Sequence, residues 1–157
     1  MKKMEKTNVM RLLDQASIPY TEHTYDPDLG LAGQDVASQL DQDPERVFKT
    51  LVTVGASGNH YVFVIPVNSE LNLKKAARAA GEKNIQMIKQ KELLPLTGYI
   101  HGGCSPIGMK KFFPTFFDET AILFDTIFFS AGKVGFQVEL NISQLSIIDF
   151  ELADLCD

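Results

Sequence analysis

The chain has 157 residues, 45% of them hydrophobic and 22% charged, the length and composition of a single domain over 1–157 that can bury its own core. A net charge of −5 argues against coating nucleic acid by bulk charge, and no apolar run nears the roughly 20 residues of a membrane span. Two cysteines, Cys104 and Cys156, and three scattered histidines, His23, His60 and His101, offer neither metal-ligand spacing nor a disulfide framework, so no metal and no cofactor is expected.

The N-terminal stretch MKKMEKTNVMRLLDQ carries charges where a secretory signal needs an apolar segment, which predicts a cytoplasmic protein. Within residues 5–18, Val9, Leu12, Leu13 and Ala16 recur at helical spacing behind Thr7 or Asn8 as cap. Residues 19–25 alternate as a strand, and residues 32–40 read as a short helix. Asp43 and Pro44 look like the cap and first position of another helix. Residues 47–54 and 60–67 are strong strands joined by the turn former GASGN, a hairpin. A helix over 71–81 ends on Gly81, a strand covers 84–88, and a short helix over 89–94 should stop at Pro95. Residues 126–130 and 134–140 form a second hairpin, and 141–148 read as a closing helix. Hairpins outnumber βαβ crossovers, so the expected class is mixed α+β, with a curved, largely antiparallel sheet and helices around it.

Charge is unevenly placed. Between Lys74 and Lys111 stand eight basic residues and two acids, leaving seven basic and eighteen acidic residues elsewhere. Such a segment is either a solvated face or a surface that meets a polyanion while the acidic remainder limits unspecific sticking.

Two features could carry chemistry. In the strand 47–54, Lys49 shares a face with Val47, Leu51 and Thr53, while Phe48, Thr50, Val52 and Val54 take the other. Either the strand shows solvent and Lys49 snorkels over it, or it lines a cleft in which Lys49 is the fixed cation for a carboxyl, phosphate or developing oxyanion. The second feature is HGGCSPIGMKK, residues 101–111. Gly102 and Gly103 are either a tight turn or a site where backbone N–H groups converge on a ligand oxygen. Cys104 and His101 could form a nucleophile and base, yet no third group orients the histidine, and a small packed cysteine fits as well.

VFKTLV, LNLKKAA, TGYIHGGCSPIGMKK, PTFFDE and SAGKVGFQVEL, in this order across nearly the whole chain, resemble the YbaK/EbsC group of aminoacyl-tRNA deacylases, in particular its Cys-tRNA(Pro) branch, which is related to the editing domain of bacterial prolyl-tRNA synthetases. The resemblance implies a partly barrel-like sheet surrounded by helices. It implies an enzyme that removes cysteine from mischarged tRNA, with the substrate's own thiol attacking the ester carbonyl. It places the essential lysine on Lys49 and the oxyanion glycine on Gly102, with Gly103 beside it. It puts substrate contacts on Tyr25, Ser130 and Gln137, the last standing where some relatives carry an acid, and Ala32 where some carry an aromatic. Lys110 and Lys111 would face the tRNA, and prolyl-tRNA synthetase would be a transient partner. Two rival readings are a deacylase of the same family for another amino acid, such as alanine, and a binding module for a nucleotide or anion without turnover.

Overall fold

The computed structural model describes residues 6–30 and 32–157. The reading of the charges at residues 1–5 lies outside them. Helix α1 (Asn8–Gln15) starts where Thr7 accepts a hydrogen bond from the Met10 N–H, and it buries Val9, Met10 and Leu13 completely. Strand β1 is Thr21–Thr24 and α2 is Gly33–Gln39. Between α2 and the first hairpin, Asp43 caps the Glu45 N–H, but the segment closes after one turn because Val47 is drawn into a bridge with Phe128. The helix expected at Pro44 is therefore absent.

Strands β2 (Phe48–Gly55) and β3 (His60–Pro66) form the predicted hairpin. Its turn is fastened by Glu82, which accepts from the Ser57 N–H at 3.1 Å and from the Tyr61 hydroxyl at 2.6 Å. Helix α3 (Leu73–Ala80) is capped by Asn72 and ends on Gly81 in the left-handed region, φ +72°. Strand β4 has only three residues, Ile85–Met87. Helix α4 (Gln90–Thr97) runs through Pro95 rather than stopping there. The proline forfeits one bond to the Lys91 carbonyl, but the turn is completed by the Gly98 N–H on the Leu94 carbonyl and the Thr97 hydroxyl on the Leu93 carbonyl.

The C-terminal half contains β5 (Thr115–Asp118), the hairpin β6 (Ile127–Ser130) and β7 (Phe136–Leu140), and β8 (Phe150–Ala153). The closing helix is replaced by a single 3₁₀ turn, Ile142–Gln144, which is enough to bury Ile142 and Leu145.

These strands make two sheets, in the orders β1-β7-β6 and β4-β2-β3-β5-β8. Four of the six pairings are antiparallel, and the β3–β5 and β5–β8 pairings are parallel. The mixed α+β class holds, but no barrel closes: among the described residues the backbones of the two sheets pair at one parallel bridge, Val47–Phe128. Alternation along β2 and β3 divides the core. Phe48, Val52, Val62 and Val64 pack toward α1 and the three-stranded sheet, while Phe63 and Ile65 pack with Leu51, Ala76 and Ala77 of α3 on the other face.

Candidate active site

The bridge between the sheets is built by polar groups around Arg46. Its carbonyl accepts from the Phe128 N–H at 2.9 Å, and its guanidinium donates to the carbonyl and hydroxyl of Thr126 at 3.2 and 2.6 Å. The guanidinium also lies over the Phe128 ring, 5.5 Å from its centroid, and 3.6 Å from Glu139. Glu139 accepts from His23 Nε2 at 2.9 Å and from the Thr126 hydroxyl. Burial alone would raise the Glu139 carboxyl, but Thr126, His23 and Arg46 more than offset it and hold the group below its ordinary range. This network fixes where β2 begins, and so where Lys49 stands.

Beside the bridge opens a cleft of about 340 Å³. It exists because β4 is short: β4 pairs with β2 only from Thr53 to Gly55, so the first half of β2 has no strand on that edge. The open edge, Phe48 to Leu51, lines it together with the bridged Val47. Tyr25, Ser130 at the end of β6 and Gln137 of β7 also line it, α2 contributes Val36, and the loop after α4 contributes Gly102 and Cys104. Lys49 is partly buried, lines this cleft, and forms no hydrogen bond or ion pair with any described residue. Among the described residues lining it, Lys49 is the only one with a permanent charge and none is an acid.

The glycine stretch has a separable reason for each glycine. Ile100–Gly103 is a turn closed by the Gly103 N–H on the Ile100 carbonyl at 3.0 Å, with Gly102 at φ +86°, the third position of a type II turn where a side chain is strained. Gly103 is buried, and a Cβ there would lie 3.1 Å from the Val134 backbone nitrogen, so the turn of the second hairpin packs directly on it. The Gly103 N–H is thus occupied and Gly103 does not line the cleft, which corrects the expectation of two convergent donors. Gly102 does line it, and its N–H has no described acceptor.

Of the other residues singled out in the sequence, Tyr25, Ala32, Ser130 and Gln137 come together with Lys49 around this cleft. The Ser130 hydroxyl oxygen accepts from the Gly132 N–H at 3.1 Å, which leaves its proton to donate. Lys110 and Lys111 are exposed and do not line the cleft; the Lys110 stem lies against Gly98. Cys104 and His101 both line it, but burial pushes the Cys104 thiol up to about 12, which leaves almost no thiolate at neutral pH. Sequence reasoning missed Thr50. Alternation assigned it to the core face opposite Lys49, yet a cleft at an open strand edge meets side chains of both faces. Among the described residues, no group of histidine, cysteine and acidic side chains could hold a metal.

A mixed α+β domain with a lysine and a free backbone donor in one cleft is the frame of a known class. The model of the family described as "Aminoacyl-tRNA editing domain" matches residues 29–147, and the chain belongs to that family. A protein of Enterococcus faecalis (strain ATCC 700802 / V583) named "Putative Cys-tRNA(Pro)/Cys-tRNA(Cys) deacylase EbsC" is 49% identical over 140 residues, 88% of this chain and 85% of that protein. Within the family the chain is thus of the YbaK/EbsC type, and its activity is aminoacyl-tRNA deacylation. A proline–tRNA ligase of Pelobacter propionicus (strain DSM 2379 / NBRC 103807 / OttBd1) is 34% identical over 77 residues, which are 49% of this chain and 13% of that enzyme. In fold, the crystal structure of "a putative trans-editing enzyme for prolyl tRNA synthetase" superposes with a TM-score of 0.81 at 22% identity, covering 95% of this chain and 94% of that one.

Proposed function

We propose that the chain clears cysteine from mischarged Cys-tRNA(Pro), and from Cys-tRNA(Cys) where it meets it, by holding the aminoacyl ester while the substrate's own thiol cleaves it. The observation that carries this reading is a cleft that, among the described residues lining it, holds Lys49 and the Gly102 N–H without a described partner, but no acid and no ionised thiol. Such a site can bind, orient and stabilise an oxyanion; the nucleophile must come from elsewhere. An aminoacyl ester is already activated, and cysteine brings a thiol two bonds from the α-carbon. In the step, a sulfur–carbon bond forms to the carbonyl, the bond from that carbonyl to the ribose 3′ oxygen breaks, and the thiol proton ends on the leaving oxygen. The products are a cyclic thioester of cysteine and free tRNA.

In this scheme the Gly102 N–H faces the carbonyl oxygen as its negative charge develops, and Lys49 neutralises that oxygen or the neighbouring phosphate. Tyr25, Ser130 and Gln137 contact the aminoacyl group. The cleft's volume suits the aminoacylated end of the tRNA and not its body. Lys110 and Lys111, exposed outside the cleft, meet the tRNA backbone, and prolyl-tRNA synthetase supplies the mischarged substrate in a transient cytoplasmic encounter. A second site is needed because a synthetase pocket separates cysteine from proline by only a few kcal/mol.

The test compares Cys-tRNA(Pro), Ser-tRNA(Pro) and Pro-tRNA(Pro) with wild type and Lys49→Ala, following loss of the labelled amino acid. Rapid loss from the cysteine ester alone, reduced about 10²–10³-fold in the variant, is expected. Equal cleavage of the serine ester would remove the thiol from the mechanism, and binding without cleavage of any ester would leave a binding module.

A further inference from the structure

Two oxygens on residues that line the cleft stand out because neither has a partner among the described residues. Gln137 is 6% exposed and its side-chain carbonyl Oε1 is shielded from solvent without a hydrogen-bond partner; the Thr50 hydroxyl oxygen is in the same position. Both residues line the cleft, Thr50 on the open edge of β2 and Gln137 on β7. Ser130 stands directly across the β6–β7 ladder from Gln137, but its hydroxyl does not satisfy Oε1. Buried polar groups are normally hydrogen-bonded, and an unpaired one is held at a cost to stability. Two of them on residues that line one ligand cavity mark acceptors left for donors that arrive with the ligand.

We propose that Thr50 Oγ1 and Gln137 Oε1 form the subsite for the α-amino group of the aminoacyl ester. The chemistry follows from what each part of the ligand can offer. The ester carbonyl and the phosphates only accept hydrogen bonds, and the scheme above directs them to Gly102 and Lys49. The α-amino group is the part of the aminoacyl moiety with more than one donor, and it can reach two acceptors at once. Neutral acceptors suit it in a cleft where the one permanent charge among the described lining residues is already positive. Held by both oxygens, the amino group fixes the rotation of the α-carbon and thereby aims the side-chain thiol at the carbonyl. The identity of the ligand rests on the deacylase reading; the call for a donor rests on the two oxygens alone.

The experiment measures binding of two non-hydrolysable probes by calorimetry: 3′-amino-3′-deoxyadenosine carrying a cysteinyl amide, and the same nucleoside carrying a 3-mercaptopropionyl amide, which lacks only the α-amino group. Wild type should prefer the first by about tenfold, the worth of about one net hydrogen bond. In Thr50→Val and Gln137→Leu that preference should shrink toward one, while both variants unfold no earlier than wild type, because each loses an oxygen that had no partner. A purely structural role would lower the unfolding temperature and leave the preference intact. The proposal is overturned if wild type binds both probes equally, or if the variants lose affinity for both alike, which would assign the oxygens to the nucleoside. Deacylation of Cys-tRNA(Pro) is assayed in parallel: no cleavage beside an intact amino preference would sink the thiol mechanism and keep the subsite.

Discussion

Adjacent glycines are easily read as one device, and here they are two. Gly102 is required by the backbone angle of a type II turn and keeps its N–H for the cleft, whereas Gly103 makes room for the second hairpin and spends its N–H inside the turn. The neighbouring Cys104 shows the same separation of appearance from role. It lines the cleft beside an exposed histidine, but burial holds its thiol protonated and it packs in the main core. Cys104→Ala should therefore keep deacylation within a few-fold while costing about 1–2 kcal/mol of stability through a small cavity, read by denaturant titration beside a deacylation assay. Loss of activity by several orders of magnitude with unchanged stability would make the thiol a nucleophile after all. The cleft-lining Lys49, Gly102, Tyr25, Ser130 and Gln137 were legible from motif wording, and what the residues alone left open was whether the Lys49 face showed solvent or lined a cleft. The short β4 decides it by uncovering the edge of β2, which no pattern within β2 itself announces.

The elements that sequence reading found are the ones with local signals: capped helices and hairpins with turn formers between alternating strands. Those it missed are parallel strands. All four residues of β5 are buried, so no alternation marks it, and β8 carries Glu151 between apolar neighbours and gains its place only by pairing with β5. The closing helix failed for the opposite reason, because buried Ile142 and Leu145 imitate helical spacing that one 3₁₀ turn already satisfies. The junction of the two sheets was equally invisible, since Arg46, Thr126, Glu139 and His23 are distant in sequence. It makes a prediction at this scale. The Glu139 carboxyl titrates below its ordinary 4.5 in the folded chain, so it contributes stability that is present above that value and is lost as the pH falls through the lower folded value. Unfolding temperatures measured from pH 7 down to pH 3 should show Glu139→Gln less stable than wild type at neutrality and converging with it in acid. Parallel curves would mean that the charge of Glu139 adds nothing at the junction.

Across the whole molecule, the acidic excess and the basic segment 74–111 pose a problem that the position of the cleft helps to resolve. A protein of net charge −5 gains little from general attraction to tRNA, and it avoids being trapped on the bulk of correctly charged or uncharged molecules. Local contacts must then supply what binding the tRNA body needs. Lys110 and Lys111 are suited to this because they follow the glycine turn in the chain, are exposed, and stand outside the cleft proposed for the ester. Each phosphate contact adds about 0.7 to the steepness of affinity against salt on a single strand. Reversing both charges, Lys110→Glu with Lys111→Glu, should lower kcat/KM on Cys-tRNA(Pro) by about tenfold at low salt and flatten its salt dependence by about 1.4, two such contacts. The loss should be confined to full tRNA, since the cysteine ester of adenosine alone reaches the cleft but not the two lysines. An equal loss on both substrates would show that the reversal disturbs the glycine turn itself, and no loss on either would return the basic segment to an ordinary solvated face.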